Sequence, residues 1–408
     1  MNYDLIIVGG GASGMMAAVL ASKVYYKSVL LLEKNERLGR KLLITGKGRC
    51  NVTNNCDINT LISNIPKNPR FLYSAFNSFS SEDTMDFFEN LGVKLKTERG
   101  NRVFPESDKA IDIVNALEKE IRRLKIDVHT ETVCDILTEN GVTSGVVCES
   151  GKEYFAPSVL IATGGKSYPL TGSTGDGYKI AQKHGHNVIP PTPSLIPILT
   201  EEKCVKDMQG LSLKNVTLSV TENGKEIYSE LGEMLFTHFG VSGPLVLSAS
   251  AHIRDIRNKE YKLFIDLKPG LTEEMLDKRI LRDFQGALNK DIINSLGALL
   301  PRKMIPVVLS RAGIPFETKV NAVTKEQRQS LLNMIKAFPL TATGFRPIEE
   351  AIITTGGIDT KEINPKTMES KLLPGLYFSG EVIDVDGYTG GFNLQIAFST
   401  ANLAAMNA

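Results

Sequence analysis

The chain has 408 residues, 42% hydrophobic and 23% charged, an ordinary globular composition long enough for more than one domain. Its 47 basic and 46 acidic residues leave a net charge of +1, with no long basic run and no tryptophan, so no nucleic-acid partner is expected. Neither a signal-like segment before the first strand nor an apolar stretch long enough to span a bilayer is present, and the cysteines at 50, 56, 134, 148 and 204 make no C-x-x-C or zinc spacing; the expectation is a cytoplasmic protein without a membrane partner or a bound metal.

Tyr3 to Val8 is a short apolar run rich in β-branched residues, followed by Gly9-Gly10-Gly11-Ala12-Ser13-Gly14 and a small-residue stretch suited to a helix. Strand, glycine turn and helix together are the context a dinucleotide fingerprint requires. Gly9 permits the sharp turn, Gly11 lets a pyrophosphate approach the backbone, Gly14 lets helix and strand pack closely, and the helix N-terminus offers N–H donors. A second strand ends at Glu33, about twenty residues past the turn, where a carboxylate can accept from a ribose.

The next stretch, Lys34 to Asn54, concentrates basic and turn residues. It reads either as a solvated basic loop or as a second wall of the nucleotide site, with Arg40 or Lys41 near phosphates and Thr45-Gly46 presenting backbone to a flat ring. Helices are expected from Ser81 to Gly92 and from Asp108 to Leu124, and a return to strand at Ile126 to Val133, with His129 on the surface. Val142 to Glu149 belongs to a hairpin-like meander, and Ser158 to Ile161 is an apolar strand running into Ala162-Thr163-Gly164. In Thr174-Gly175-Asp176-Gly177, Asp176 is either a helix cap or a cofactor contact.

Pro190-Pro191-Thr192-Pro193 reads as a boundary. Beyond it, alternating strands and the Asn223-Gly224 turn suggest a small antiparallel barrel. Helices follow, opened by Thr272, then built on Ile292, Leu296, Leu299 and Leu300, then on Met304 to Leu309, and finally opened by a capping box at Thr324 to Gln327. The last stretch returns to the opening theme. A strand ends at Ser379-Gly380-Glu381, a Gly/Tyr/Asn-rich turn follows, and a small-residue helix is expected over Ile396 to Ala405. A helix N-terminus aimed at an electron-rich ring stabilises negative charge on it.

Three segments together resemble the glutathione-reductase-like FAD superfamily: Gly9 to Gly14 with Glu33, Ala162-Thr163-Gly164, and Ser379-Gly380-Glu381 with the terminal helix. Gly39-Arg40-Lys41 through Thr45-Gly46-Lys47-Gly48-Arg49-Cys50-Asn51-Val52-Thr53-Asn54, Phe236 to Pro244 and Gly387 to Asn393 more narrowly resemble a three-domain bacterial flavoprotein family, which includes aminoacetone oxidase and BaiN-like NAD(P)/FAD-dependent oxidoreductases. The resemblance implies an α/β fold: a Rossmann-like FAD-binding domain with a parallel central sheet in three layers, and an inserted antiparallel β-barrel and small helical domain. It implies an FAD domain over 1–190 and 343–408, a barrel-like substrate domain over 191–270 and 320–342, and a helical domain over 271–319.

By the same resemblance, Gly9, Gly11 and Gly14 meet the pyrophosphate, with Ala12 and Ser13 between them, and Glu33 meets the adenosine ribose. Lys41, Thr45 and Gly46 line the cofactor, Val133 offers backbone to adenine, and Glu381 contacts the ribityl chain. Gly391, Phe392, Asn393 and Leu394 bring N–H groups to the flavin pyrimidine edge, and Lys34, Arg40, Thr163, Gly164, Asp176 and Gly380 complete the cofactor set.

The activity implied is hydride transfer between flavin N5 and a small organic substrate. With one G-x-G-x-x-G in view, NAD(P)H would be a transient donor at a shared site; an amine oxidase using O2 is the alternative subclass. His238, in a Gly/Ser/Pro-rich loop, and Arg102, in a turn before Phe104-Pro105, are the catalytic candidates, each with a structural role as the alternative. A disulfide reductase through Cys50 and Cys56 is disfavoured by the C-x5-C spacing, and an RNA-modifying flavoprotein by the near-zero charge.

Overall fold

The computed structural model describes residues 3–408, which form two compact units: residues up to Ser194 with Pro347–Ala408, and Leu195–Arg346.

The first unit is built on a five-stranded parallel sheet, ordered Leu376–Phe378, Ser158–Ile161, Leu5–Val8, Val29–Glu33, Asp127–Thr130. Leu5 sits opposite both Ser158 and Val29, so the first strand is central. Its four residues are buried, as are all four of Ser158–Ile161, which is why both read as unbroken apolar runs rather than alternating ones. The first helix, Ala12–Lys23, and the last, Phe392–Asn407, pack together and contribute to the same hydrophobic cluster as the sheet. A three-stranded antiparallel meander (Val133–Glu139, Val142–Cys148, Glu153–Phe155) adds Ile136, Val146 and Cys148 to that cluster.

The second unit is a closed six-stranded antiparallel barrel, ordered Ile198–Thr200, Gly240–Ser242, Lys225–Phe236, Ser212–Glu222, Tyr261–Asp266, Phe338–Phe345. Asn223 and Gly224 turn its longest hairpin, both at positive φ (48° and 84°), as a two-residue loop matched to strand twist requires. Helices Glu273–Gln285, Met304–Arg311 and Lys325–Lys336 share one apolar cluster with the barrel strands.

Two expectations need correction. Ile292 to Leu300 forms no continuous helix, only a 3-10 turn at Ile292–Asn294 followed by separate short turns (Ser295 N–H to the Ile292 carbonyl, Leu299 N–H to the Leu296 carbonyl), with Ile292 and Asp291 tied to Thr318 and Lys319. Pro190 to Pro193 lies in the strand Val188–Ser194, antiparallel to Ile353–Ile358 with a register shift between Ile189 and Thr192, and the first unit's leading segment ends at Ser194 beside it. A two-stranded ribbon tolerates prolines at positions whose N–H is not needed. The terminal helix begins at Phe392, four residues before the expected start, and runs to Asn407. Among the described residues, no helix is long and apolar enough to cross a membrane.

Candidate functional site

The glycine corner is dictated by crowding. Gly9 has φ +109°, and a Cβ there would lie 2.6 Å from the Ala162 carbonyl oxygen; one on Gly14 would lie 1.8 Å from the Gly9 carbonyl oxygen. Gly11 is different: a Cβ would meet nothing within 4 Å, so its face is open. Gly11 opens the first helix with no side chain capping it, which leaves the first N–H groups for another acceptor. The terminal helix also starts on a glycine without a side-chain cap, Gly391 at φ +102°, packed so tightly on Thr53 that a Cβ would lie 2.3 Å from its carbonyl.

The last helix packs along the first, Tyr25 donating to Asn402 Oδ1 at 3.1 Å and Lys27 to the Ala405 carbonyl at 3.0 Å. Ser13, in the first turn of the first helix, shares a buried 2.5 Å hydrogen bond with Ser379, just past the strand Leu376–Phe378, so the first helix opens at the edge of the sheet where the strands Leu5–Val8 and Leu376–Phe378 end. That edge is the carboxyl end of the parallel strands, where α/β sheets bind ligands.

Four segments from distant parts of the chain converge there. Lys41 Nζ pairs with Glu381 Oε2 at 2.6 Å and donates to Ser167 Oγ at 2.7 Å. Glu381 Oε1 accepts from the Thr354 N–H at 2.9 Å and from Ser167 at 3.2 Å. A Cβ on Gly165 would lie 2.6 Å from Glu381 Oε1, so the loop after Ser158–Ile161 presses directly onto this carboxylate. Gly380, at φ +74°, is held by a hydrogen bond from its N–H to Thr400 Oγ1 at 3.0 Å.

A second cluster surrounds Glu33. Its Oε2 accepts from the Gly10 N–H at 2.7 Å and its Oε1 from the Asn35 N–H and Nδ2 at 2.8 and 2.6 Å. Asn35 Oδ1 in turn accepts from Arg40 at 2.7 Å. Asp176 does not cap its helix; Gly175 holds that position, and Asp176 Oδ2 instead accepts from Lys34 at 2.6 Å and Thr174 at 2.7 Å. Burial works to raise the Asp176 carboxyl, but hydrogen bonds from Lys34 and Thr174 outweigh it and hold the group below the usual range.

The remaining candidates fall as follows. Gly46 is left-handed (φ +56°) and abuts the Asn51 N–H, and Thr45 donates to the Leu42 carbonyl at 2.6 Å. Val133 is buried at the start of the meander. Gly164 has φ +72° and the neighbouring Thr163 hydroxyl is buried without a partner. Phe392 is buried, Leu394 half-buried, and Asn393 clamps the preceding turn by accepting from the Gly387 N–H (2.9 Å) and donating to the Gly387 and Tyr388 carbonyls (2.8 and 3.2 Å). The catalytic candidates lie in different units: Arg102 is exposed in the first and donates to the Arg99 carbonyl at 3.1 Å, whereas His238 is exposed in the second with its ring 5.0 Å from that of Phe239. Cys50 is buried and Cys56 half-buried, both as free thiols, and burial pushes them up to about 12 and about 11, a setting that disfavours the thiolate.

Sequence reading missed Asn35, Asn51, Ser167 and Thr354. Asn35 lies two residues past the ribose-type acid and is legible from that spacing alone, whereas Thr354 has no local signal because its partners lie 27 to 188 residues away.

An adenine dinucleotide with a flavin fits these residues. Two helix N-termini lack caps, Gly11 faces open space, and two buried acceptors, Thr163 Oγ1 and Asn51 Oδ1, have no protein partner in a structure whose other buried polar groups are mostly satisfied. The fold and site therefore define a flavin-dependent oxidoreductase of the parallel-sheet dinucleotide class. More narrowly, residues 3–407 match the family described as HI0933-like protein Rossmann domain, and the chain belongs to it.

Among curated relatives, it is 32% identical over 406 residues to a 3-dehydro-bile acid delta(4,6)-reductase of Clostridium scindens, covering 98% of this chain and 97% of that protein. It is 31% identical to a ribosomal RNA dihydrouridine synthase of Escherichia coli, covering 98% and 96%. Among solved structures, a 3-ketosteroid delta1-dehydrogenase from Sterolibacterium denitrificans superposes with a TM-score of 0.52 at 13% identity, covering 99% and 98%; this likeness concerns the fold. The expectations of an FAD-binding α/β fold with an inserted barrel, and of an oxidoreductase in this bacterial flavoprotein family, are borne out.

Proposed function

We propose that this protein is an FAD-dependent reductase of a carbon–carbon double bond conjugated to a carbonyl group, with NAD(P)H as the electron source. The observation that carries this reading is chemical. Two relatives aligned over nearly the whole chain are named for reducing such a bond, one in a bile acid with a 3-keto group and one in the uracil ring of RNA.

Bound FAD would supply the hydride relay between nicotinamide and double bond. The glycine corner would hold its pyrophosphate on the first helix N-terminus, with Glu33 oriented for the ribose by Gly10 and Asn35. Glu381, fixed by Lys41, Ser167 and Thr354, would accept from a ribityl hydroxyl. The free N–H groups after Gly391 would face the pyrimidine edge, where negative charge develops on reduction. A small-molecule enone is the first substrate class. The names of the RNA-directed relatives favour a second, uridine within ribosomal RNA, against the expectation of no nucleic-acid partner.

The test is anaerobic stopped flow on the yellow holoprotein. NADH or NADPH should bleach the 450 nm band, and either a 3-keto-4-ene steroid or ribosomal RNA lacking dihydrouridine should restore it. Bleaching by amines alone, with recovery only on admitting O2, would replace this reading with the oxidase one. A protein that cannot be loaded with FAD would remove both.

A further inference from the structure

The terminal helix is largely apolar but carries a buried polar seam of Gln395, Ser399 and Asn402. Gln395 is 0% exposed and stands in the first turn, immediately after the uncapped N–H groups. Its side chain is fully satisfied. Oε1 accepts from Thr53 Oγ1 at 2.6 Å and from Thr84 Oγ1 at 2.9 Å, whose one proton is shared with the Ser80 carbonyl at 3.0 Å, and Nε2 donates to the Phe79 carbonyl at 3.1 Å and to Ser399 Oγ at 2.9 Å. Ser399 also donates to Phe79 at 2.6 Å. Thr53 is the residue whose backbone lies against Gly391, and Asn54 beside it donates to the Gly390 carbonyl at 3.0 Å. One amide therefore ties the start of the helix to the short sheet Thr53–Asn54/Arg102–Pro105 and to the helix Ser81–Asn90.

A core helix gains nothing in burial from an amide that an aliphatic side chain would not supply. What this network adds is direction: its contacts to Thr53, Thr84 and Phe79, three segments outside the helix, fix the rotation and axial position of the helix start. We propose that Gln395 is a positioning residue that sets the electron affinity of the bound flavin by holding the N–H groups of Phe392, Asn393 and Leu394 in register with it. It touches neither cofactor nor substrate and acts through the helix. The inference rests on the FAD reading above. In the reduced state the ring carries added negative charge, and a dipole that is aimed and immobile stabilises it more than one that wobbles.

Gln395→Met keeps the length and apolar bulk and deletes all four hydrogen bonds. Thr84→Val deletes one donor and keeps the shape. Both variants are loaded with FAD, and the flavin midpoint potential is measured by dye equilibration, with the visible spectrum and FAD dissociation recorded alongside. In Gln395→Met the ratio of reduced to oxidised flavin at a fixed potential should fall about tenfold, equivalent to ~30 mV for a two-electron couple, with a smaller change in the same direction in Thr84→Val. The potential is the deciding readout, because a loosened core alone would lower the melting temperature without moving it. A folded, FAD-replete Gln395→Met with the parental potential overturns the proposal while leaving the FAD reading intact. If Gln395→Met does not fold, Thr84→Val decides, and an unchanged potential there overturns it. Failure of the parent protein to take up FAD instead refutes the reading on which the proposal rests.

Discussion

The two units differ in how their longest helices start. In the barrel unit the two longest helices are closed by their own sequence: Thr272 accepts from the Met275 N–H, and Thr324 accepts from the Gln327 N–H in a reciprocal capping box. The barrel's short helix Pro244–Ser250 opens on Gly243, but Pro244 removes the first donor. In the sheet unit, Asp57 and Ser80 cap the shorter helices Ile58–Ser63 and Ser81–Asn90, but the three longest, Phe392–Asn407, Ala110–Arg123 and Ala12–Lys23, have no side-chain cap. The first and last open on a glycine, as Arg40–Ile44 and Asp176–Lys183 also do. A side-chain cap contributes about 1 kcal/mol of stability, so leaving the first and last helices bare costs the apoprotein. What sets the first helix apart is the open space at Gly11, where its bare donors are accessible to a ligand.

The strongest way to break this comparison is to cap the first helix. Gly11 has extended backbone angles (φ −81°, ψ −166°) and open space where a Cβ would go, so Gly11→Asp should cap the helix and leave the melting temperature of the apoprotein equal or higher. FAD affinity, read by titrating apoprotein, should fall about 100-fold, roughly 3 kcal/mol. Unchanged affinity would mean that these donors are not reserved for the cofactor.

Gly391→Ala probes the other bare end. Its positive φ and the Thr53 carbonyl at 2.3 Å leave no room, so both the melting temperature and FAD occupancy should fall, the latter by about tenfold (~1.4 kcal/mol). Away from that edge, Glu120 is held down to about 2, chiefly by Arg123 and also by Lys23, against the cost of its burial. Since its folded value lies below the usual 4.5, its contribution is complete above pH 4.5 and is lost as pH falls through 2. The shift corresponds to roughly 3 kcal/mol, and on the order of 1–2 after screening of its partly exposed partners. Urea midpoints of the parent protein and Glu120→Gln should converge over that window. The smallest effect belongs to the barrel: Thr324→Ala should cost about 1 kcal/mol in stability and leave the flavin spectrum unchanged.

What was legible in the sequence was local. The glycine corner, Glu33, the Thr324 capping box and the Asn223-Gly224 turn each declare themselves within a few residues. The terminal helix was legible in kind but not in extent, because a helix buried on every side has no apolar stripe and Phe392 to Gln395 reads as a continuation of the turn. The prolines at 190, 191 and 193 stand just before the division between the units at Ser194/Leu195, but their pairing with Ile353–Ile358 has no local signal. Lys41 and Glu381 were both singled out, but not as partners, since 340 residues separate them. Ser167, Thr354 and Gln395 gain their meaning only from such long-range meetings.

The order of the sheet has a consequence for biosynthesis. Ser158–Ile161 is flanked on one side by Leu5–Val8 and on the other by Leu376–Phe378, which follows the whole barrel unit in the chain. At ~5–20 residues per second, the ribosome delivers that last strand roughly ten to forty seconds after Ser158–Ile161. For that interval the nascent protein carries a raw, hydrophobic strand edge of the kind that invites sticking to other chains. The barrel, whose strands all lie between Leu195 and Arg346, can meanwhile fold to completion.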